Sequence, residues 1–173
     1  PESDPDNTLY WKAERKRLTW EQTRDAVIHA TGELDLAHSG PSFPLNNSWT
    51  PRRSVFSYIN RLDIPTLLRT FDYPSPNASS GMRTKTTVPQ QALWFFNNPF
   101  IHSAVNRIAS RPEISEGNAQ ERATFLFLLL FSRGPEPTEL SAIEAFLSNN
   151  NSDQGLKDLI HVLLMSNEFV YIN

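Results

Sequence analysis

Apolar residues along this chain recur mostly at helical spacing, and proline and glycine cut that recurrence into short segments. Trp20, Val27, Ile28 and Thr31 fall on one face of a helix that Thr19 opens at capping-box distance from Gln22. Gly32 supplies its left-handed stop. An earlier helix over about residues 7–17 would carry Leu9, Tyr10 and Trp11 toward the core. Proline has a fixed φ and no N–H, which suits the first turn of a helix, so Pro51, Pro65, Pro89 and Pro99 are each expected to open one. Residues 53–60 fit either period; with no evident pairing partner, helix is favoured.

Two stretches, 33–49 and 72–87, carry Gly40-Pro41, Phe43-Pro44, Asn46-Asn47, Tyr73-Pro74 and Gly81 and predict long irregular connections. Loops of this length are usually functional or tightly packed. Residues 120–133 hold an unbroken apolar run from Phe125 to Phe131 and predict a buried central helix. Thr138 is expected to cap a second, with Leu140, Ile143 and Leu147 on one face. A third, over 156–165, gathers Leu156, Leu159, Ile160, Leu163 and Leu164. Short connections make these three antiparallel. The expected fold is mainly α: an irregular multi-helix domain with two long loops and a C-terminal antiparallel three-helix layer, occupying residues 1–173 as a single domain.

Composition narrows the chemistry. With 11 Phe, 4 Trp and 4 Tyr in 173 residues, the chain has ample material for a packed core. It has no cysteine, which excludes disulfides, thiolate zinc sites, iron–sulfur clusters, a covalent haem attachment and a cysteine nucleophile within these residues. No apolar run approaches the roughly 20 residues that span a bilayer. The chain begins Pro1-Glu2-Ser3 without an initiator Met, so a piece of a longer protein is expected. A net charge of −3 is too small to argue for nucleic acid as a partner. Its distribution is uneven: residues 1–112 hold 13 basic and 10 acidic side chains, residues 113–173 only 3 basic and 9 acidic. An acidic C-terminal layer beside a basic N-terminal one is consistent with this.

His29, His38, His102 and His161 show no metal-ligand spacing, and there is no phosphate-cradling glycine loop or nucleophile elbow, so no metal and no cofactor is expected in this domain. Arginine set beside carboxylates is more informative. Arg24-Asp25 lies in a predicted helix, Arg52-Arg53 follows Trp49-Thr50-Pro51, and Asp72 and Arg83 flank the second long loop. The planar guanidinium fork can bind several carbonyls or carboxylate oxygens at once, so these residues are expected to pin irregular chain to a helical layer. The same groups could bind an anionic ligand, with Trp49 as a sugar-stacking platform. A hydrolase would need Asp25 to meet Asp72, or a Glu such as Glu21, across a cleft. The basic run Arg15-Lys16-Arg17 reads as a solvated face.

These residues fall into ordered motifs. Arg17-Leu18, Glu21, Arg24-Asp25-Ala26, Thr31-Gly32 and Leu34-Asp35 are followed by Arg52-Arg53-Ser54-Val55-Phe56, Phe71-Asp72 with Pro74, and Arg83. Then come Thr86-Thr87-Val88-Pro89, Gln91-Ala92-Leu93, Asn97, Phe100, Arg133, Pro137-Thr138-Glu139 and Asn167-Glu168-Phe169 with Tyr171. Over residues 9–172 this pattern resembles a planctomycete-specific C-terminal domain family of unknown function, with Thr31 where Ser is usual and Met82 where a second Arg is frequent. The resemblance implies the C-terminal module of a larger exported protein, in an extracytoplasmic setting. It implies other domains of the parent chain as partners, haem carried elsewhere in that parent, and an association with polysaccharide use. It assigns no catalytic residue. The resulting expectation is a noncatalytic structural or interaction module in which Arg24, Asp25, Arg52, Arg53, Asp72, Arg83 and Asn97 form a polar scaffold. The alternative is a carbohydrate or sulfated-glycan binding module, and a carboxylate-based hydrolase ranks below it.

Overall fold

The computed structural model describes residues 7–10, 13, 15–37, 40–45, 49–150 and 152–172. The fold is mainly α. In chain order, β1 (Lys16–Arg17) leads into α1 (Trp20–Thr31) and then β2 (Phe43–Pro44). A 3₁₀ turn (Ser54–Phe56) and β3 (Ser57–Tyr58) precede α2 (Thr66–Thr70), α3 (Pro89–Asn97) and α4 (Pro99–Ala109). The chain continues through α5 (Pro112–Ser115), α6 (Ala119–Phe131), α7 (Pro137–Asn149), α8 (Asp153–Met165), α9 (Asn167–Val170) and β4 (Tyr171–Ile172).

Local chemistry explains where α1 starts and stops. The Thr19 hydroxyl accepts from the Gln22 N–H at 3.3 Å, and the Gln22 side chain accepts from the Thr19 N–H at 2.9 Å. Together they satisfy two of the N–H groups that a helix start leaves unpaired. Gly32 ends the helix at φ 81°, a conformation that costs other residues steric strain. Trp20, Val27, Ile28 and Thr31 are all buried on the inward face.

The core gathers on α4. This helix packs against α1 and against α8, which in turn meets α3 and α7; α6 packs on α5 and α7. Ile28, Ile101, Ile108, Leu126, Ile160 and Leu164 are fully buried, each contributing about 1.5–3 kcal/mol of transfer free energy. Two short ladders tie distant chain together. β1 pairs antiparallel with β4 through Lys16 opposite Ile172 and Arg17 opposite Tyr171. β2 pairs in parallel with β3, Phe43 opposite Ser57.

Several expectations need correction. Residues 7–10 form no helix, because Asn7 and Tyr10 take positive φ, which a right-handed helix does not allow, and Leu9 and Tyr10 are exposed. Trp11, His38, Asn46 and Asn47 lie outside the described residues. Pro51 opens no helix, since the neighbouring Arg52 bridges to Asp35 and the Pro51 carbonyl accepts from the Asp35 N–H at 2.9 Å. Pro65, Pro89 and Pro99 do stand at helix starts. Residues 53–60 divide into the 3₁₀ turn and β3, because β2 supplies the pairing partner that was not evident. The α6 helix is not enclosed all round, as Leu128 is 53% exposed. The α7 helix begins one residue ahead of Thr138, with Glu136 rather than Thr138 at the cap position.

Arg133 closes the C-terminal part. Its guanidinium binds Glu139 in the first turn of α7 at 2.7 Å through both Nη atoms, and Glu168 in α9 at 2.6 and 2.9 Å. These bonds hold the Glu139 carboxyl at about 2, below its ordinary 4.5, against an opposing effect of burial. Because the folded carboxyl ionises more readily than the unfolded one, its contribution is complete above roughly pH 5 and is lost as pH falls toward 2. Urea midpoints of wild type and Arg133→Gln should therefore differ most near neutrality and converge in acid.

Gly155, in the first turn of α8, lies so close to the Asn150 carbonyl oxygen that a Cβ would stand 2.2 Å from it. Gly155→Ala is expected to cost about 1–3 kcal/mol in denaturant titration by forcing backbone apart. Gly81→Ala, where a Cβ meets nothing within 4 Å, should stay within about 0.5 kcal/mol of wild type.

Candidate functional site

Glu21, Arg24 and Asp25 stand at i, i+3 and i+4 along α1, so their side chains leave neighbouring parts of one helix face. Arg24 is the most enclosed. Its Nη1 donates to the Arg52 carbonyl at 2.9 Å and to Ser54 Oγ at 3.2 Å, and its Nη2 to the Thr50 carbonyl at 3.0 Å. Phe43 and Phe100 lie against the guanidinium at 5.2 and 5.4 Å from their ring centres. Burial lowers the Arg24 pKa to about 10, partly offset by Asp25 at 3.8 Å, so the group stays charged at neutral pH. Asp25 Oδ1 accepts from both the N–H and the hydroxyl of Ser54 at 2.7 Å. Arg24 and Asp25 thus hold the chain from Thr50 to Ser54 from two sides of the same serine.

A second cluster fastens the long connection that starts at Asp72. Asp72 takes a left-handed φ of 58°, tolerable for Asp, and its carboxylate accepts from the Thr86 N–H at 2.8 Å and hydroxyl at 2.7 Å. Arg83 Nε donates to the Asp72 carbonyl at 3.0 Å, while Nη1 binds Glu21 at 3.0 and 3.2 Å. Arg17 donates to Gln91 Oε1 and lies 3.5 Å from Asp72. Its side chain is enclosed, so Arg17 departs from the solvated face expected of the basic run. Gln91 Nε2 in turn donates to the Thr70 carbonyl at 2.8 Å and the Thr86 carbonyl at 3.2 Å. Residues 72–86 are thereby tied to α1 and α3.

The remaining candidates divide. Arg52 binds the Pro41 carbonyl at 2.5 Å and packs against Phe43 and Phe56. Arg53 is 52% exposed and only 3.7 Å from Asp25 Oδ2, and Asn97 is exposed at the end of α3. Trp49 is half-buried: its ring stacks on Phe100 at 5.0 Å, Arg107 lies over it at 4.5 Å, and its N–H donates to Glu33 at 2.8 Å. The indole is thus engaged within the protein rather than standing as an open platform.

A cleft of about 290 Å³ borders this network, with Glu21, Gln22, Asp25, Arg53, Ser54 and Tyr73 in its wall beside the apolar Trp20, Val55, Ile59 and Leu68. Glu21 and Asp25 enter it from the same helix, and Asp72 does not line it. General acid and nucleophile facing each other across a scissile bond, as glycoside hydrolysis needs, are not presented by that arrangement. The Ser54 hydroxyl is buried and bonded to Asp25 and Arg24, which leaves no free nucleophile there. Among the described residues, no three His, Asp or Glu side chains are grouped to hold a metal ion. Among the described residues, no helix is long and apolar enough to cross a membrane.

A family model described as PSD1, a protein of unknown function (DUF1553), matches residues 1–147. The chain belongs to this family. No curated protein and no solved structure matches it. The DUF1553 match stops within α7, although α8 packs on α4 and β4 pairs with β1. Within the matched span, Arg17, Glu21, Ser54, Thr86 and Gln91 join the network alongside the singled-out residues. Their signal was position: each stands within a few residues of a singled-out arginine or aspartate or in the same ordered motifs.

Arg24→Ala should cost about 3–5 kcal/mol, since it strands the Thr50 and Arg52 carbonyls and removes the enclosed one of the two cations beside Asp25. Arg53→Ala, at an exposed and loose pair, should cost no more than about 1 kcal/mol. Equal losses in chemical denaturation would contradict this division.

Proposed function

We propose that this DUF1553 chain is a noncatalytic interaction module within an extracytoplasmic multidomain protein, shaping a surface for other domains of its parent. The observation that carries the reading is the use Arg24 makes of its hydrogen bonds. Its fork is spent on the carbonyls of Thr50 and Arg52 and on Ser54, so the most buried charge of the site maintains shape rather than meeting a ligand. The motif resemblance supports the extracytoplasmic, planctomycete setting and the partnership with further domains.

One observation favours a second reading, recognition of a sulfated glycan. Arg53 stands half-exposed beside a cleft whose mixed wall also offers Gln22 and Tyr73. An exposed guanidinium next to hydrogen-bonding side chains suits a sulfate group and neighbouring hydroxyls.

Assays with aryl glycosides and aryl sulfates should find no turnover that Asp25→Asn removes; turnover abolished by that substitution would overturn the noncatalytic reading. A melting-temperature rise with sulfated polysaccharide that vanishes in Arg53→Ala would decide for the second reading.

A further inference from the structure

A second cleft, of about 400 Å³, opens between the start of α1, β2, α2 and the α3–α4 junction. Trp20 is common to this cleft and the one at Asp25 and Arg53. Its wall changes character with depth. Trp94 and Phe100 are buried, and Phe43, Leu45 and Leu67 are half-buried beside them. The Trp20 and Trp94 N–H groups are sealed from solvent, and the Arg24 fork is engaged by Thr50, Arg52 and Ser54. The inner wall is therefore apolar toward anything that enters.

Polar side chains lie further out. Thr66 and Gln90 are exposed, Thr70 and Asn98 half-buried. Some of these groups are already used: the Thr70 hydroxyl donates to the Thr66 carbonyl at 3.0 Å, and Asn98 Oδ1 accepts from the Phe100 N–H at 2.9 Å. The Thr66 hydroxyl, the Gln90 amide and Asn98 Nδ2 bond to no other described residue. A threonine hydroxyl and a glutamine amide each both donate and accept, so the group they complement is a hydroxyl. Neither a carboxylate nor an ammonium would find a free opposite charge, since Arg24 is the one charged residue in the wall. A sugar carries hydroxyls around its whole edge and would set some of them unpaired against Phe43, Leu45 and Leu67. The volume suits one or two rings.

We propose that this cleft binds an uncharged phenol or aromatic alcohol, its ring among Phe43, Leu67, Leu93 and Phe100 and its hydroxyl at Thr66 and Gln90. The proposal does not rest on the function given above.

The test titrates p-cresol into the full chain and follows backbone and side-chain amides by ¹⁵N NMR, with Gln90→Ala identifying the Gln90 amide pair. p-Methylanisole, which lacks the O–H, p-toluate and glucose serve as comparisons. p-Cresol should shift the Gln90 pair and bind more tightly than p-toluate or glucose. Thr66 and Gln90 are exposed, so a chain carrying Thr66→Val and Gln90→Ala should melt with wild type. It should bind p-cresol about fivefold more weakly and p-methylanisole nearly unchanged. Leu93 is 55% exposed, so Leu93→Ser should keep the fold and weaken both ligands alike. An unmoved Gln90 pair at millimolar p-cresol, p-toluate or glucose binding as tightly as p-cresol, equal losses for cresol and anisole in the double variant, or indifference to Leu93→Ser would each overturn the proposal.

Discussion

Removing the Arg24 guanidinium from water carries a desolvation cost of several kcal/mol, and the protein offsets it with backbone carbonyls, a serine hydroxyl, two aromatic rings and a neighbouring aspartate. The carbonyls and the serine lie 26 to 30 residues further along the chain. The helix that carries Arg24 therefore cannot reach its final environment until the segment after Trp49 has folded over it. Once there, Asp25 fixes Ser54, and the 3₁₀ turn and β3 that follow acquire a set direction. An irregular connection becomes rigid because it satisfies a buried charge.

The Asp72 and Arg83 cluster repeats this logic with a carboxylate as the organiser. Asp72 accepts from Thr86 and lies near Arg17, while Arg83 returns to Glu21 on α1. Residues 50–54 and the connection over 72–86 consequently report to the same helix face. At the other end of the chain, Arg133 performs a related task in a more solvated place, joining α7 to α9. Since β4 pairs with β1, this clasp also helps position the strand on which Arg17 stands.

Legibility tracked the range of the interactions. The Thr19 cap, the Gly32 stop and the buried face of α8 depend on neighbours within one or two helical turns and could be read directly. The β2–β3 pairing, between residues 43–44 and 57–58, has no local signature, and the proposed helix at Pro51 failed for the same reason. Among the site residues, type and motif position singled out Arg24, Asp25, Asp72 and Arg83, whereas Arg53 looked equivalent to Arg52 until packing separated them. Trp49 showed the limit for aromatics: an indole in a loop has the same sequence appearance whether it faces solvent or stacks on Phe100.

Local chain chemistry decided the mainly helical character, the starts at Pro89 and Pro99 and the absence of cysteine-based chemistry within these residues, because those properties need no distant partner. Tertiary packing decided which charges are spent internally and which face outward. It also brought Trp20 and Trp94, 74 positions apart, to the wall of one cleft with both N–H groups unpaired. Burial and the meeting of donor with acceptor arise only when separate segments exclude water from one another, and spacing along the chain carries no measure of that exclusion.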